Sequence, residues 1–148
     1  MFKHILVAVD GSSTSSLALE QAIQLARELQ AKLRLLHAVY DATLDFEIEY
    51  PDTAVLWEAL RHSGEEILKK AEALTRQAGV EAETKLLEIR RAHEHVAEEI
   101  AAEADAWPAD LIILGTHGRR GLGRLLLGSV AERVARIASK PVLLVRGQ

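Results

Sequence analysis

No cysteine occurs in the 148 residues, which removes disulfides and thiolate–metal sites from consideration. Charge of one sign is equally scarce: 18 Lys and Arg against 22 Asp and Glu leave a net charge of −4. A general nucleic-acid binder usually needs a strongly basic domain, so no nucleic-acid partner is expected. Nor is there an apolar run approaching the roughly 20 residues that span a bilayer, so no membrane partner is expected either. The opening Met1-Phe2-Lys3-His4-Ile5 enters a strand-like run without the apolar stretch of a signal peptide, and a cytoplasmic location is the expectation. What is present is an ordinary soluble balance, 49% hydrophobic and 27% charged, in a chain of one-domain size over residues 1–148. Such a chain buries about two-thirds of its unfolded surface in one core.

The apolar residues fall into short blocks separated by helical patterns. Ile5-Leu6-Val7-Ala8-Val9 is a continuous aliphatic run closed by Asp10-Gly11, the mark of a strand buried on both faces. Ser12 to Ser16 offer several N-caps, and Ala18, Ala22, Leu25, Ala26 and Leu29 then follow at helical spacing to about Gln30. Leu33 to Val39 reads as a second strand. After an acidic, irregular stretch over 40–52, Leu56, Leu60, Ile67, Ala71, Leu74 and Ala78 keep one helical face until Gly79, and Gly64 inside it allows a kink. Val80 to Ile89 alternates weakly, as suits an edge strand. Val96, Ile100 and Ala104 mark a short helix, Leu111 to Leu114 a fourth strand, Ser129 to Ala138 a last helix, and Pro141 to Val145 a fifth strand. Strict alternation of strand and helix predicts right-handed βαβ crossovers and an open, doubly wound parallel α/β sheet with helices on both faces.

Between the fourth strand and the last helix stands Gly-Thr-His-Gly-Arg-Arg-Gly-Leu-Gly-Arg-Leu-Leu-Leu-Gly-Ser, residues 115–129, with five glycines and three arginines. Ligands of open α/β sheets sit beyond the carboxyl ends of the strands. If the first and fourth strands are neighbours, this loop faces Asp10-Gly11-Ser12. Glycine lets backbone N–H groups approach a ligand, and Gly128-Ser129 would deliver them at a helix N-terminus, a natural phosphate site. Ser129 could add a hydroxyl donor, and Arg119, Arg120 or Arg124 could neutralise remaining charge. Plainer roles compete with these. Ser129-Val130-Ala131-Glu132 is also a capping box, Asp10 could simply cap the first helix, and exposed arginines are often only solvated.

Several named sites are missing. There is no G-x-x-x-x-G-K-[ST] loop, no G-x-G-x-x-G after the first strand, and no H-E-x-x-H. Of six histidines, His93 and His95 are two apart and would diverge on a helix, so no metal site is expected. His37, ending a strand, reads as a packed or hydrogen-bonded core residue, and Trp57 and Trp107 as core or interface residues. His117, inside the glycine loop, is the one histidine to watch.

The remaining pattern is Gly115-x2-Gly118-x9-Gly128-Ser129, and here the sequence resembles the ATP-binding branch of the universal stress protein family, whose G-2x-G-9x-G-[S/T] signature it matches without a gap. The likeness runs from the strand ending in Asp10-Gly11-Ser12, through Leu36-His37-Ala38-Val39, to Pro141-Val142-Leu143-Leu144-Val145. It implies a Rossmann-like, adenine-nucleotide-hydrolase-like sheet of five strands in the order 3-2-1-4-5, with ATP across strands 1 and 4. Asp10 and the turn through Ser12 would then meet the ribose or phosphate side, and the backbone at Ala38 and Val39 the adenine. Gly115 and Gly118, with Arg119 beside them, would flank the ribose and phosphates, while Gly128, Ser129 and Val130 hold the phosphate chain. Many members carry Gly or Pro just before the third helix; this chain has Arg91-Ala92-His93-Glu94-His95.

The resemblance implies a nucleotide-binding regulator or sensor in the stress response. Asp10 could help hold Mg²⁺ on the phosphates. No general base, paired carboxylates or P-loop lysine stand beside the phosphate loop, so no catalytic residue is assigned and slow ATP turnover is left open. An adenylate-forming or ATP-pyrophosphatase relative would usually carry S-G-G-x-D-S after the first strand, where this chain has Asp10-Gly11-Ser12-Ser13-Thr14. A phosphoacceptor receiver domain would need an acidic pair where Asp10 stands alone. A nucleotide-free interaction protein is the remaining alternative. In the implied order Val142 to Val145 lies at a sheet edge, and a homodimer pairing these strands would cover it.

Overall fold

The computed structural model describes residues 1–40, 53–90, 95–117 and 127–147. The aliphatic blocks form strands β1 (His4–Ala8), β2 (Lys32–Tyr40), β3 (Ala82–Ile89), β4 (Leu111–Gly115) and β5 (Val142–Val145). The periodic segments form helices α1 (Ser13–Leu29), α2 (Thr53–Gln77), α3 (Val96–Ala106) and α4 (Ser129–Ile137). All strand pairs are parallel, in the order β3-β2-β1-β4-β5. None of the described helices is long and apolar enough to cross a membrane.

The pleat explains why the central strands are apolar without alternation. Odd residues Ile5, Val7, Leu33, Leu35, Leu111 and Ile113 pack with Ala18, Leu19, Ala22 and Ala26 of α1 and Leu68 and Ala71 of α2. Even residues Leu6, Leu36, Ile112 and Leu114 pack with Val96, Ile100 and Ala104 of α3 and Val134 of α4. A strand covered on both faces has no polar side to show. The outer strands differ: β3 is mostly half-exposed, and β5 leaves Leu143 39% exposed.

Local details refine the sequence reading. Ser12 is the N-cap of α1, its Oγ accepting the Ser15 N–H at 3.2 Å. α2 runs unbroken through Gly64. An alanine Cβ at that position would lie 2.7 Å from His37 Cδ2 and 2.9 Å from Leu86 Cδ1. Glycine sits there to let the helix approach the sheet. β3 begins at Ala82 rather than Val80, because the Val80 N–H still bonds the Thr75 carbonyl (2.9 Å) in the closing turn of α2, where Gly79 takes φ +72°.

At the amino ends of the strands, the Asp110 carboxylate accepts the backbone N–H groups of Lys3 (2.8 Å) and His4 (2.9 Å). Those two amides hold its carboxyl below the usual Asp range. Arg34 pairs with Glu83 and Glu103 and lies over the Trp107 ring, 4.9 Å from its centroid. This edge is tied together by its own charges.

Candidate functional site

At the carboxyl edge the strands end at different heights. β1 stops at Ala8, while its neighbour β2 runs on to Tyr40. Ala8 pairs with Leu36, so continuing the register sets Asp10 beside Ala38. Hydrogen-bond parity then matters. Even residues of β2 address β1, as Lys32 N–H does on Lys3 O (2.8 Å) and Leu36 O does on Val9 N–H (2.8 Å). Odd residues address β3, as Leu33 N–H does on Glu81 O (2.9 Å). Ala38 therefore points its peptide groups at the notch left where β1 has ended, whereas Val39 points its own toward β3 and is buried. Among the described residues nothing pairs with Ala38 on that side.

The turn leaving β1 is rigidly built. The Asp10 N–H donates to Ser15 Oγ (3.0 Å), the Ser12 N–H donates to Asp10 Oδ1 (2.8 Å), and the Ser15 N–H donates to Ser12 Oγ. Gly11 takes φ +84°, a left-handed conformation that suits glycine at the centre of this Asx turn. From the β2 side, buried His37 sends Nδ1 to the Val9 carbonyl at 2.7 Å, which fixes the residue before Asp10. His37 thus has the hydrogen-bonded core role expected of it.

On β4 the geometry centres on a residue that sequence reasoning passed over. Buried Thr116 donates its N–H to Val145 O (2.9 Å) and accepts the Gly128 N–H on its carbonyl (2.6 Å). This clasp joins the root of the glycine segment to the first turn of α4 and ties both to β5. No sequence signal marks a backbone bond, so a threonine beside a conspicuous motif was easy to miss. Gly115 has a close-packing role: a Cβ there would meet Thr14 Cγ2 at 2.8 Å and the Thr14 carbonyl carbon and oxygen at 3.1 Å. α1 lies that close to β4.

α4 differs from the expected capping box. Gly128, extended at φ −61° and ψ 150°, is the N-cap and carries no side-chain cap, and the Glu132 N–H bonds its carbonyl at 3.0 Å. Ser129 is thus the first helical residue, and its hydroxyl is not the cap. Since the Gly128 N–H is taken by Thr116, the amides at the helix end are those of Ser129, Val130 and Ala131. Among the described residues these three have no hydrogen-bond partner. Unpaired amides at the positive end of a helix form an anion-binding concavity.

Asp10, Ser12, Ala38, Gly115, Gly128, Ser129 and Val130 therefore share one sheet edge, because β1 and β4 are neighbours (Val7 pairs with Ile113) and Thr116 draws α4 to that edge. Gly118 and Arg119 lie outside the described residues, as do Arg120, Arg124 and residues 91–94. Of the clearly shifted acids, Glu83 and Asp110 stand at the opposite, amino edge, whereas Glu98 in the first turn of α3 is held low by its bond from Arg133 of α4.

Gly64 carries a prediction here. Alanine usually gains up to about 1 kcal/mol over glycine inside a helix. At Gly64 its methyl must displace a His37 ring that is pinned by Val9 O. Gly64→Ala is expected to lower stability by about 1–2 kcal/mol, read from the midpoint of a denaturant titration.

The profile of the universal stress protein family matches residues 1–146 of this chain. A universal stress protein of Methanocaldococcus jannaschii is 37% identical over 149 residues, covering 99% of this chain and 83% of that protein. The crystal structure of a universal stress protein family member from Burkholderia pseudomallei superposes with a TM-score of 0.78 at 34% identity, over 97% of this chain and 96% of that one. A universal stress protein crystallised in complex with cAMP superposes with a TM-score of 0.68 at 25% identity, over 98% of each chain.

Proposed function

The chain belongs to the universal stress protein family, and from that premise we propose that it binds an adenine nucleotide, with ATP the preferred form, at the mouth between β1 and β4. The observation that carries this reading is the row of three amides, Ser129 to Ala131, unpartnered among the described residues and held at this edge by the Thr116–Gly128 bond. Anionic oxygens would accept from those amides and from the Ser129 hydroxyl. The outward peptide groups of Ala38 offer one donor and one acceptor side by side, the pattern that the edge of an adenine ring complements. The Asp10 turn would meet the ribose or phosphates, with Gly115, Gly118 and Arg119 along the phosphate chain. The relative bound to cAMP supports an adenine nucleotide as the ligand class.

The residues also fit a phosphate-bound Mg²⁺. Magnesium keeps several waters and takes one or two carboxylates beside substrate phosphates, and Asp10 would be the carboxylate to supply one. Mg²⁺ would neutralise phosphate charge. We read ATP as a ligand that sets the state of the protein more than as a substrate it consumes, in a cytoplasmic regulator or sensor of stress. Thr116 supplies a route for that effect, since the residue that clasps α4 also bonds Val145 of the edge strand. The exposed apolar edge Val142 to Val145 favours a homodimer paired through β5.

Two measurements test the reading. Mass spectrometry of small molecules released from the purified protein should find an adenine nucleotide, and ATP titrated into the stripped protein should saturate. Failure of ATP, AMP and cAMP alike to bind would leave only an interaction protein. A dilute-solution mass should read two chains, and a monomer at micromolar concentration would contradict pairing through β5.

A further inference from the structure

We propose that His117 is a side-chain contact to the nucleotide's phosphates, with Thr116 positioning its ring; this rests on the nucleotide reading above and adds a residue to it. His117 follows Thr116 directly, at the root of the segment that leads to α4. Its ring is partly buried, and Nδ1 lies 3.1 Å from Thr116 Oγ1. Nε2 is shielded from solvent and has no hydrogen-bond partner among the described residues. A shielded ring nitrogen without a partner costs free energy, and most such groups in folded proteins are paired. This one stands at the sheet edge that also presents the amides of Ser129 to Ala131.

Tautomer chemistry says which atom would be bound. The Thr116 hydroxyl can donate to an unprotonated Nδ1, and neutral imidazole then carries its proton on Nε2. The unpartnered atom becomes a donor, and phosphate oxygens are acceptors. A protonated ring also presents Nε2–H, and charge would strengthen that bond. Either state suits an anion, while the N–H points of a nucleoside's base do not need it. The N–H and carbonyl of Thr116 bond Val145 and Gly128, so with its hydroxyl on the ring it holds His117 and the helix end in one frame.

The test compares ATP with adenosine on the full chain. His117→Ala should weaken ATP about tenfold or more while changing adenosine affinity less than twofold. His117→Gln, whose amide nitrogen reaches toward the place of Nε2, should recover part of the ATP affinity, and Thr116→Val should lose part of it. In the wild type, the Nε2 resonance of His117 should shift on adding ATP and stay put on adding adenosine. Equal loss of both ligands in His117→Ala would mark a purely structural role and overturn the assignment, as would unchanged ATP affinity. Should the wild type bind neither ligand, the nucleotide reading itself falls, a result distinct from selective failure of the histidine.

Discussion

Gly115→Ala is expected to destabilise the protein by about 2–3 kcal/mol and to weaken ATP binding about tenfold, although only one methyl group is added. Most alanine-for-glycine changes in a strand help, because glycine loses more chain entropy on folding. Here the methyl meets main chain, 3.1 Å from the Thr14 carbonyl carbon and oxygen, and backbone cannot swing aside as a side-chain tip can. Any shift of Thr14 passes to its chain neighbours: Ser15 Oγ holds the Asp10 N–H, and Ser12 Oγ holds the Ser15 N–H. Stability and affinity should therefore fall together. A denaturant titration and an ATP titration on the same preparation check this, and an unchanged midpoint would show that α1 is free to move off β4.

Gly128→Asp should move the same two quantities in opposite directions. The extended backbone of Gly128 is open to any residue, so no conformational strain follows from adding a side chain. Aspartate is among the best N-caps. Its carboxylate would accept from the amides of Val130 or Ala131 and meet the positive end of the helix dipole, for a gain of about 0.5 kcal/mol. Those amides are the ones proposed for the phosphates. The variant would fill the anion site with its own carboxylate and repel an incoming polyphosphate, so ATP affinity should drop about a hundredfold, nearly 3 kcal/mol. Lower stability together with weaker binding would point instead to a disturbed Thr116–Gly128 clasp.

The sheet was readable from residue type because each central strand is covered on both faces. Ile5 to Val9 and Leu111 to Leu114 have no polar alternation to confuse the signal, and β5 shows its edge position through Leu143. The strand order came from the family likeness, and the pairings bear it out. Where backbone bonds decide, residue type was a poor guide. Val80 looked like the start of a strand, yet its N–H completes a helix turn; Ser129 looked like a cap, yet Gly128 is. Gly64 and Gly115 were visible as glycines, but space rather than flexibility is what they supply, and only a neighbour across the fold reveals that. The Asp10 turn and the helix end were both suspected from sequence. Thr116, which holds the second of them in place, was not.

The central claim is that the free amides at the start of α4 receive the nucleotide's phosphates. Backbone amide resonances followed during an ATP titration test it most directly. The account predicts that Ser129, Val130 and Ala131 shift together at the concentration that saturates binding, with Ala38 shifting alongside them, while Lys3 and His4 at the opposite edge stay still. Saturable binding that leaves the three α4 amides unmoved would place the ligand elsewhere and contradict the account.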